Sequence, residues 1–226
     1  MLHKSLTVVL GVATAAVVVT AATPVQAQMV MAKIKSGVTS VSLDLPSLKS
    51  AGLNLRSTSS NVVEPVSSDF FVGFNITPDS SFTFIGEDKF RYLGGTIEHL
   101  GSVTFNKALT VGNFSIGFNK SRINNITSGF FVKDTLKNFG DVLFDIGNLA
   151  PQLKGKNLKI SGDLFVSPEL AELLGNPGLI SVAVGKAQIN AITNATKVSE
   201  SSAVLGLLAA AGVAIANKRR LTMAKS

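Results

Sequence analysis

The segment Leu158-Lys159-Ile160-Ser161-Gly162-Asp163-Leu164-Phe165-Val166 carries the pattern that decides the fold class of this chain. Its apolar side chains at positions 158, 160, 164 and 166 share one parity, and Lys159, Ser161 and Asp163 occupy the other. Successive side chains of a β-strand point to opposite faces of the sheet. The alternation therefore predicts a strand with one buried face and one solvated face.

The same alternation recurs in the part of the chain that is rich in phenylalanine. All 14 phenylalanines lie between Phe70 and Phe165. Alternating segments at 81–84, 103–105 and 114–119 are separated by Gly, Asn, Asp and Pro residues. Short strands punctuated by turn residues, without long amphipathic helices between them, are typical of all-β proteins. We therefore predict a mainly all-β fold, an antiparallel β-sandwich or jelly roll, in the domain at residues 65–196.

One short helix is predicted directly after the quoted segment. Ser167 suits the N-cap position, and Pro168 suits the first turn because its φ angle is already helical. Glu169 is favourable near the positive end of the helix dipole. Gly175 can end the helix in a left-handed conformation.

Residues 28–64 are predicted as a separate N-terminal section that contains an edge strand and a polar linker. Val41, Leu43 and Leu45 alternate with polar residues, which indicates a strand. Pro46 follows them, and proline is confined to edge strands and strand ends because it lacks a backbone donor. The serine-rich stretch that comes next indicates the linker.

The first 27 residues have the layout of a secretory signal peptide. Lys4 supplies a positive charge, residues 6–22 are almost entirely apolar, and Val25 and Ala27 provide small residues before a cleavage site. We expect cleavage between Ala27 and Gln28 and export of the rest of the chain; an uncleaved N-terminal anchor is the alternative. The chain contains no cysteine, so neither a lipid-modified cysteine nor a disulfide contributes to it.

The C-terminal section, residues 197–226, contains a polar motif, an apolar run at 203–216 and a basic cluster. A helix over the apolar run would be roughly 21 Å long, against about 30 Å for a bilayer core. We predict a marginal membrane helix, preceded by a polar stalk at 194–199; a buried core helix is the alternative. The predicted span contains Ala203, Leu205, Leu207, Leu208, Val213 and Ile215, and the basic stop retained on the cytoplasmic side is Lys218, Arg219 and Arg220.

The polar motif Ser199-Glu200-Ser201, the short apolar helix and the arginine cluster resemble the PEP-CTERM sorting signal of bacteria that make exopolysaccharide. In that family a Pro-Glu-Pro motif precedes the helix. Here serines stand in the places of both prolines, and Glu200 is retained. The resemblance implies that an exosortase, a membrane protease-transpeptidase, processes the tail. It covers only the C-terminal section and implies no activity for the exported domain.

The net charge gives no support for nucleic-acid binding. The whole chain has 21 basic and 14 acidic residues, a formal charge of +7. Lys4 lies in the predicted signal peptide, and Lys218, Arg219, Arg220 and Lys225 follow the apolar run; without these five, 16 basic residues remain against 14 acidic ones. The exported part is therefore close to neutral, and we predict no nucleic-acid partner.

No constellation of catalytic residues is evident in the sequence. His3 falls in the predicted signal peptide, and His99 is predicted to be a satisfied core or surface histidine. Asp141 and Asp145 in one strand would share a face about 13 Å apart, too far for either glycosidase geometry. We expect these two carboxylates to be solvated.

Metal chemistry is equally unsupported, because the chain has no Cys/His spacing typical of a metal site. Loop oxygens at Asp79, Glu87 and Asp88 leave a calcium site as an alternative. We predict that the protein is not an enzyme and has no catalytic residue, cofactor or metal.

Lys154, Lys156 and Lys159 form a local basic patch. It is a candidate contact for a polyanion such as an acidic exopolysaccharide, and a solvated charged loop is the alternative. Tyr92 is the only tyrosine and tryptophan is absent, which weakens the case for a stacked sugar platform.

We therefore predict an exported, C-terminally membrane-anchored bacterial protein of the cell envelope or extracellular matrix. Its β-sandwich ectodomain would be non-enzymatic, and an exosortase would be a partner. The alternative function is a carbohydrate-binding module for exopolysaccharide. A hydrolase is a third class, and it lacks the residues that it would need.

Overall fold

The computed structural model describes residues 28–86, 90–106, 109–136 and 139–199, with side chains described between 31 and 196. The predicted all-β antiparallel class is confirmed for this part of the chain. Its strands are β1 (Gln28–Leu43), β2 (Leu55–Thr58), β3 (Val72–Ile76), β4 (Thr83–Ile85), β5 (Arg91–Gly94), β6 (Ile97–Leu100), β7 (Ser102–Phe105), β8 (Leu109–Gly112), β9 (Ser115–Ile123), β10 (Thr127–Lys133), β11 (Val142–Lys154), β12 (Asn157–Val166) and β13 (Ala183–Ser199).

Eight of these strands form a closed barrel. They follow one another in the order β1, β3, β6, β9, β10, β11, β12 and β13, and β13 pairs back onto β1. The closing pair runs from Gln28 opposite Ser199 to Leu43 opposite Gly185. The structure therefore has a closed ring where the sequence suggested a two-sheet sandwich or jelly roll. Local alternation looks the same in both architectures, and the difference lies in the pairing of the first and last strands.

Strand β1 corrects the prediction of an N-terminal edge strand and linker at 28–64. It is a central strand of 16 residues that pairs with β13 on one side and with β3 and β4 on the other. Within the supposed linker, Leu55–Thr58 forms β2 and pairs with β7. Strand β1 is thus one of the eight barrel strands, and β2 belongs to a separate three-stranded sheet with β7 and β8.

The predicted alternation of buried and solvated side chains in β12 is confirmed. Leu158, Ile160, Leu164 and Val166 are all buried in the core. The hairpin of β4 and β5 extends the sheet beyond β1 and contributes rings to an aromatic cluster inside the barrel. Rings of this cluster that contact one another are Phe82, Phe84, Phe90, Tyr92, Phe118 and Phe130.

Two short α-helices, α1 (Leu45–Ser50) and α2 (Pro168–Leu173), lie in the described residues at what we call the helical end of the barrel, and a 3₁₀ helix at Pro177–Leu179 follows α2. The predicted helix α2 is confirmed: the Ser167 side chain accepts from the Leu170 amide at 3.0 Å, and Gly175 has a φ of 65°. Helix α1 was missed. Pro46 lies in its first turn and Asp44 caps it, so this proline begins a helix as well as ending a strand.

The opposite end of the barrel, which we call the terminal end, holds the start of β1, the end of β13 and the turn of the β11–β12 hairpin. Residues 194–199 were predicted to be a polar stalk, and they instead continue β13 and pair with residues 28–33 of β1. We call this two-stranded extension the terminal ribbon. Within the described residues, no helix has the length and apolar character needed to cross a bilayer.

Candidate functional site

His99 is a structural core residue, as predicted. It is 4 % exposed, and both ring nitrogens have partners: Nε2 lies 2.7 Å from the Thr39 hydroxyl and Nδ1 lies 2.8 Å from the Phe114 carbonyl. A carbonyl can only accept, so Nδ1 donates to Phe114 and Nε2 accepts from Thr39 when the ring is neutral. Burial lowers the pKa of His99 to about 4, because the charged ring loses its hydration. The ring is thus neutral at pH 7.

A cavity of about 50 Å³ lies beside His99, between the barrel interior and the sheet of β2, β7 and β8. It is much smaller than the ~150 Å³ engineered cavity that admits benzene. Apart from Thr39 and His99, its walls are apolar, and they include Phe74, Phe105 and Phe114. A packing void in the core fits these dimensions better than a ligand site.

On the barrel exterior, the guanidinium of Arg122 joins two carboxylates. Its Nε donates to Asp145 Oδ1 at 2.6 Å, and its Nη1 and Nη2 donate to the two Glu169 oxygens at 2.6 and 2.8 Å. Its Cζ also lies 5.7 Å from the centroid of the Phe131 ring. The pKa of Glu169 is lowered, first by its hydrogen bond to Arg122. This network fastens helix α2 to strands β9 and β11.

The network overturns the expectation that Asp145 is solvated. Asp145 is 7 % exposed and bonded to Arg122. Asp141 precedes β11, is exposed, and accepts from the amide of Val142 at 2.8 Å. The two carboxylates therefore have separate structural roles and do not face each other across a cleft.

A second buried carboxylate, Asp134, was not singled out from the sequence. Among the described residues, four backbone amides donate to it at 2.7–3.3 Å: those of Gly112, Leu136, Phe139 and Gly140. Its side chain organises the loop between β10 and β11 and ties this loop to β8. A short acidic side chain at the start of a glycine-ended loop is a recognisable signal for such an arrangement.

The three lysines of the predicted polyanion contact come together on the β11–β12 hairpin. Lys154 lies opposite Asn157, and Lys159 lies opposite Gln152. The pairing places Lys154 and Lys159 at diagonal positions on the outer face, where neighbours are typically about 7 Å apart. Lys156 lies in the turn, and all three side chains are exposed.

Most of the predicted targeting residues lie outside the described part of the chain. This holds for Ala27, Glu200 and Ser201 and for all residues of the predicted membrane span and basic stop. Glu87 and Asp88 of the calcium alternative also lie outside the described residues. Gln28 and Ser199 are described, and they pair with each other at the end of the terminal ribbon. Within the described residues, no group of three or more His, Cys, Asp or Glu is arranged to hold a metal ion.

Comparisons with protein-family models, with curated proteins and with solved structures find no match to this chain.

Proposed function

We propose that this chain is an exported protein, held at a bacterial membrane by its C-terminal tail and processed there by an exosortase. Its barrel acts as a non-enzymatic structural or interaction module of the cell envelope or extracellular matrix. The proposal combines the signal peptide and sorting tail predicted from the sequence with the geometry of the barrel between them.

The observation that carries the proposal is the pairing of Gln28 with Ser199. Gln28 is the first residue after the predicted signal cleavage site, and Ser199 is the first residue of the predicted sorting motif. These two residues therefore lie side by side at the terminal end of the barrel. A domain built this way can be tethered through one end while the helical end and the barrel wall stay free for partners.

The surroundings of the titratable residues support a non-enzymatic role. A general base or nucleophile needs a reactive atom that is free to reach substrate. His99 and Asp134 are buried and use their polar atoms for internal bonds. Asp145 and Glu169 are paired with Arg122.

Cell fractionation combined with intact-mass measurement tests the proposal. The wild-type chain is compared with Glu200→Ala, and Glu172→Ala serves as the control because it removes an exposed glutamate from helix α2. We expect a mature wild-type protein that begins at Gln28 and ends near residues 199–202. Glu200→Ala should keep its tail, and Glu172→Ala should be processed normally.

Two other outcomes are informative. If all three proteins keep residues 218–226 and remain in the membrane, the tail is an anchor without sorting. A wild-type protein that is soluble with its tail intact would contradict the whole proposal.

A second candidate function is the binding of an acidic exopolysaccharide by the barrel wall. The observation that favours it is the convergence of Lys154, Lys156 and Lys159 on one hairpin. Gln152 and Asn190 flank Lys159 across the strands, and their amides suit sugar hydroxyls.

A glycan array tests this second candidate. The triple alanine variant of the three hairpin lysines should lose binding to acidic glycans. A control triple variant at Lys49, Lys133 and Lys186, which are also exposed, should keep it. Equal binding by both variants would rule out the hairpin as the contact.

A further inference from the structure

We propose that the terminal end of the barrel contacts the anionic phospholipid headgroups of the membrane and so fixes the orientation of the barrel on it. The inference rests on the proposed function, because the C-terminal tail is what brings this end to the membrane. It joins the hairpin lysines and the terminal ribbon into one membrane-contact surface.

The topology places a lysine-rich hairpin beside the exit point of the chain. The amide and hydroxyl of Thr193 donate to the Lys156 carbonyl at 2.8 and 3.0 Å. This holds the turn of the β11–β12 hairpin against the base of the terminal ribbon. Any membrane reached by the chain after Ser199 is therefore on the same side of the barrel as this turn.

Charge is distributed unequally between the two ends. Exposed cations of the terminal end include Lys33, Lys35, Lys154, Lys156 and Lys159. The segments 31–36, 152–160 and 189–196 of this end contain no carboxylate. The β4–β5 hairpin also reaches this end, where Ile85 pairs with Met31, and its turn sequence includes Glu87 and Asp88. At the helical end, exposed Asp44, Asp141 and Glu172 are accompanied by exposed Lys49, Lys133 and Lys186, so acids and bases balance there. An anionic membrane would attract the first end more strongly than the second.

Apolar side chains among these lysines favour a lipid surface over a polysaccharide. Ile192 is 45 % exposed and lies opposite Asn157, next to the hairpin lysines, and Met31 is 43 % exposed on the ribbon. Surfaces that bind at the membrane interface combine lysines with apolar side chains that enter the headgroup region. Sugar hydroxyls offer no comparable partner for Ile192 or Met31.

The length of the terminal ribbon specifies how the barrel would dock. Six residues of β13 follow Thr193, and at about 3.3 Å per residue they extend roughly 20 Å. The hairpin lysines reach the headgroups only if the ribbon lies along the surface. Strands in barrels are inclined by about 35–45° to the barrel axis. The barrel would therefore be tilted on the membrane when the ribbon lies along the surface, and exposed Met31 and Lys33 on the ribbon favour this tilted orientation.

Fluorescence quenching in reconstituted vesicles tests the docking. Since the chain has no cysteine, Asn157→Cys places a single environment-sensitive dye at the hairpin turn of the full-length protein. Ser68→Cys places the same dye on the exposed loop leading to Phe71, whose amide bonds to Val41 near the helical end. Vesicles of phosphatidylcholine, with or without phosphatidylglycerol, carry a spin-labelled headgroup as the quencher.

We expect phosphatidylglycerol to quench the dye at position 157 and not the dye at position 68, with reversal at high salt. Lys154→Gln/Lys156→Gln should lower the ratio of docked to undocked protein by about fivefold per lysine. Lys49→Gln/Lys133→Gln, which removes the same charge at the helical end, should change little.

Vesicle flotation separates failure of the docking from failure of the anchor. Flotation with both vesicle types, but no quenching that depends on phosphatidylglycerol at position 157, overturns the docking and leaves the anchor standing. Flotation only with phosphatidylglycerol vesicles supports docking and contradicts the anchor; no flotation at all overturns both. A dye at position 157 that responds to an acidic polysaccharide and not to vesicles overturns the docking in favour of glycan binding.

Discussion

The imidazole of His99 and the hydroxyl of Thr39 are 2.7 Å apart, and they link strands β6 and β1 through the barrel interior, although β3 separates these strands in the sheet. Both side chains are buried. Because the neutral ring satisfies Thr39 and Phe114 at once, protonation of His99 acts directly on the core.

We expect acid to destabilise the barrel through His99. The folded pKa of about 4 is below the value of about 6.5 for an unfolded histidine, so the unfolded chain binds the extra proton first. The contribution is complete above pH 6.5 and is lost as the pH falls towards 4. Between pH 7.5 and 4.5 the free energy of unfolding should fall by about 2–3 kcal/mol.

Urea denaturation at these two pH values measures the His99 effect. The variant His99→Gln should be less stable at pH 7.5 and should lose much less on acidification. An unchanged acid response in His99→Gln would assign the effect to other groups. The pKa of Glu169 is already below the usual glutamate value, so this carboxyl contributes mainly at lower pH.

Removal of Arg122 should destabilise the protein more than removal of any one of its hydrogen-bond partners. Arg122→Met leaves Asp145 buried without its cation, and breaking a buried ion pair typically costs about 3–5 kcal/mol. Lys120→Met removes an exposed cation from the same strand and should change stability by no more than about 0.5 kcal/mol.

Denaturant unfolding with a double-variant cycle checks the Arg122 prediction. Arg122→Met/Asp145→Leu should recover part of the unfolding free energy lost in Arg122→Met, because it also removes the unpaired buried carboxylate. A loss of the same size in Arg122→Met and Lys120→Met would show that the network contributes little.

Asp134→Asn should weaken the loop between β10 and β11. The carboxylate accepts through both oxygens, and an amide group replaces one acceptor with a donor that faces backbone N–H groups. We expect a loss of about 2–3 kcal/mol, measured by thermal or chemical unfolding. Asp141→Asn is the control; this exposed side chain accepts from Val142 through one oxygen and should lose less than about 1 kcal/mol.

Hydrogen exchange gives the Asp134 prediction a local readout. The amide of Gly112, which donates to Asp134 at 2.7 Å, should exchange faster in Asp134→Asn than in Asp141→Asn. Equal protection of Gly112 in the two variants would argue against the bonding described here.

Gly147→Ala should disturb the packing of β11 against its neighbours. An added Cβ would lie 2.1 Å from the Ile126 carbonyl oxygen and 2.7 Å from the Phe165 ring. Because a backbone atom must move, we expect a loss of about 1–3 kcal/mol in unfolding free energy. Gly94→Ala meets no atom within 4 Å and should be neutral or slightly stabilising, because alanine lowers the entropy of the unfolded chain; a similar loss at both positions would argue against a specific clash at Gly147.

Structural features that depend on residues close together in the chain could be predicted from the sequence. Strand parity at Leu158 and Ile160 and the capping of α2 by Ser167 follow from local spacing, and both are confirmed. The centrality of β1 could not be predicted in this way. Its buried positions include small or polar residues such as Thr39 and Ser40, which do not stand out in an apolar pattern.

The polar network around Arg122 was hard to predict because its members are distant from one another in the chain. Arg122 bonds to residues 23 and 47 positions away, and nothing near Arg122 in the sequence indicates either partner. The hairpin lysines were identifiable because they are close in sequence. Their position beside the chain exit depends on the bonds between Thr193 and Lys156, which only the assembled barrel reveals.

The seam between β1 and β13 also constrains the order in which the protein can fold. Strand β1 pairs with β13, the last of the described strands. Closure of the barrel therefore depends on contacts between residues far apart in sequence, and such contacts form slowly. As the chain emerges, β1 and β12 would expose unpaired backbone until β13 follows, and such edges promote aggregation. A chain truncated before Ala183 should therefore stay open and associate with other chains, even though most of its core residues are present.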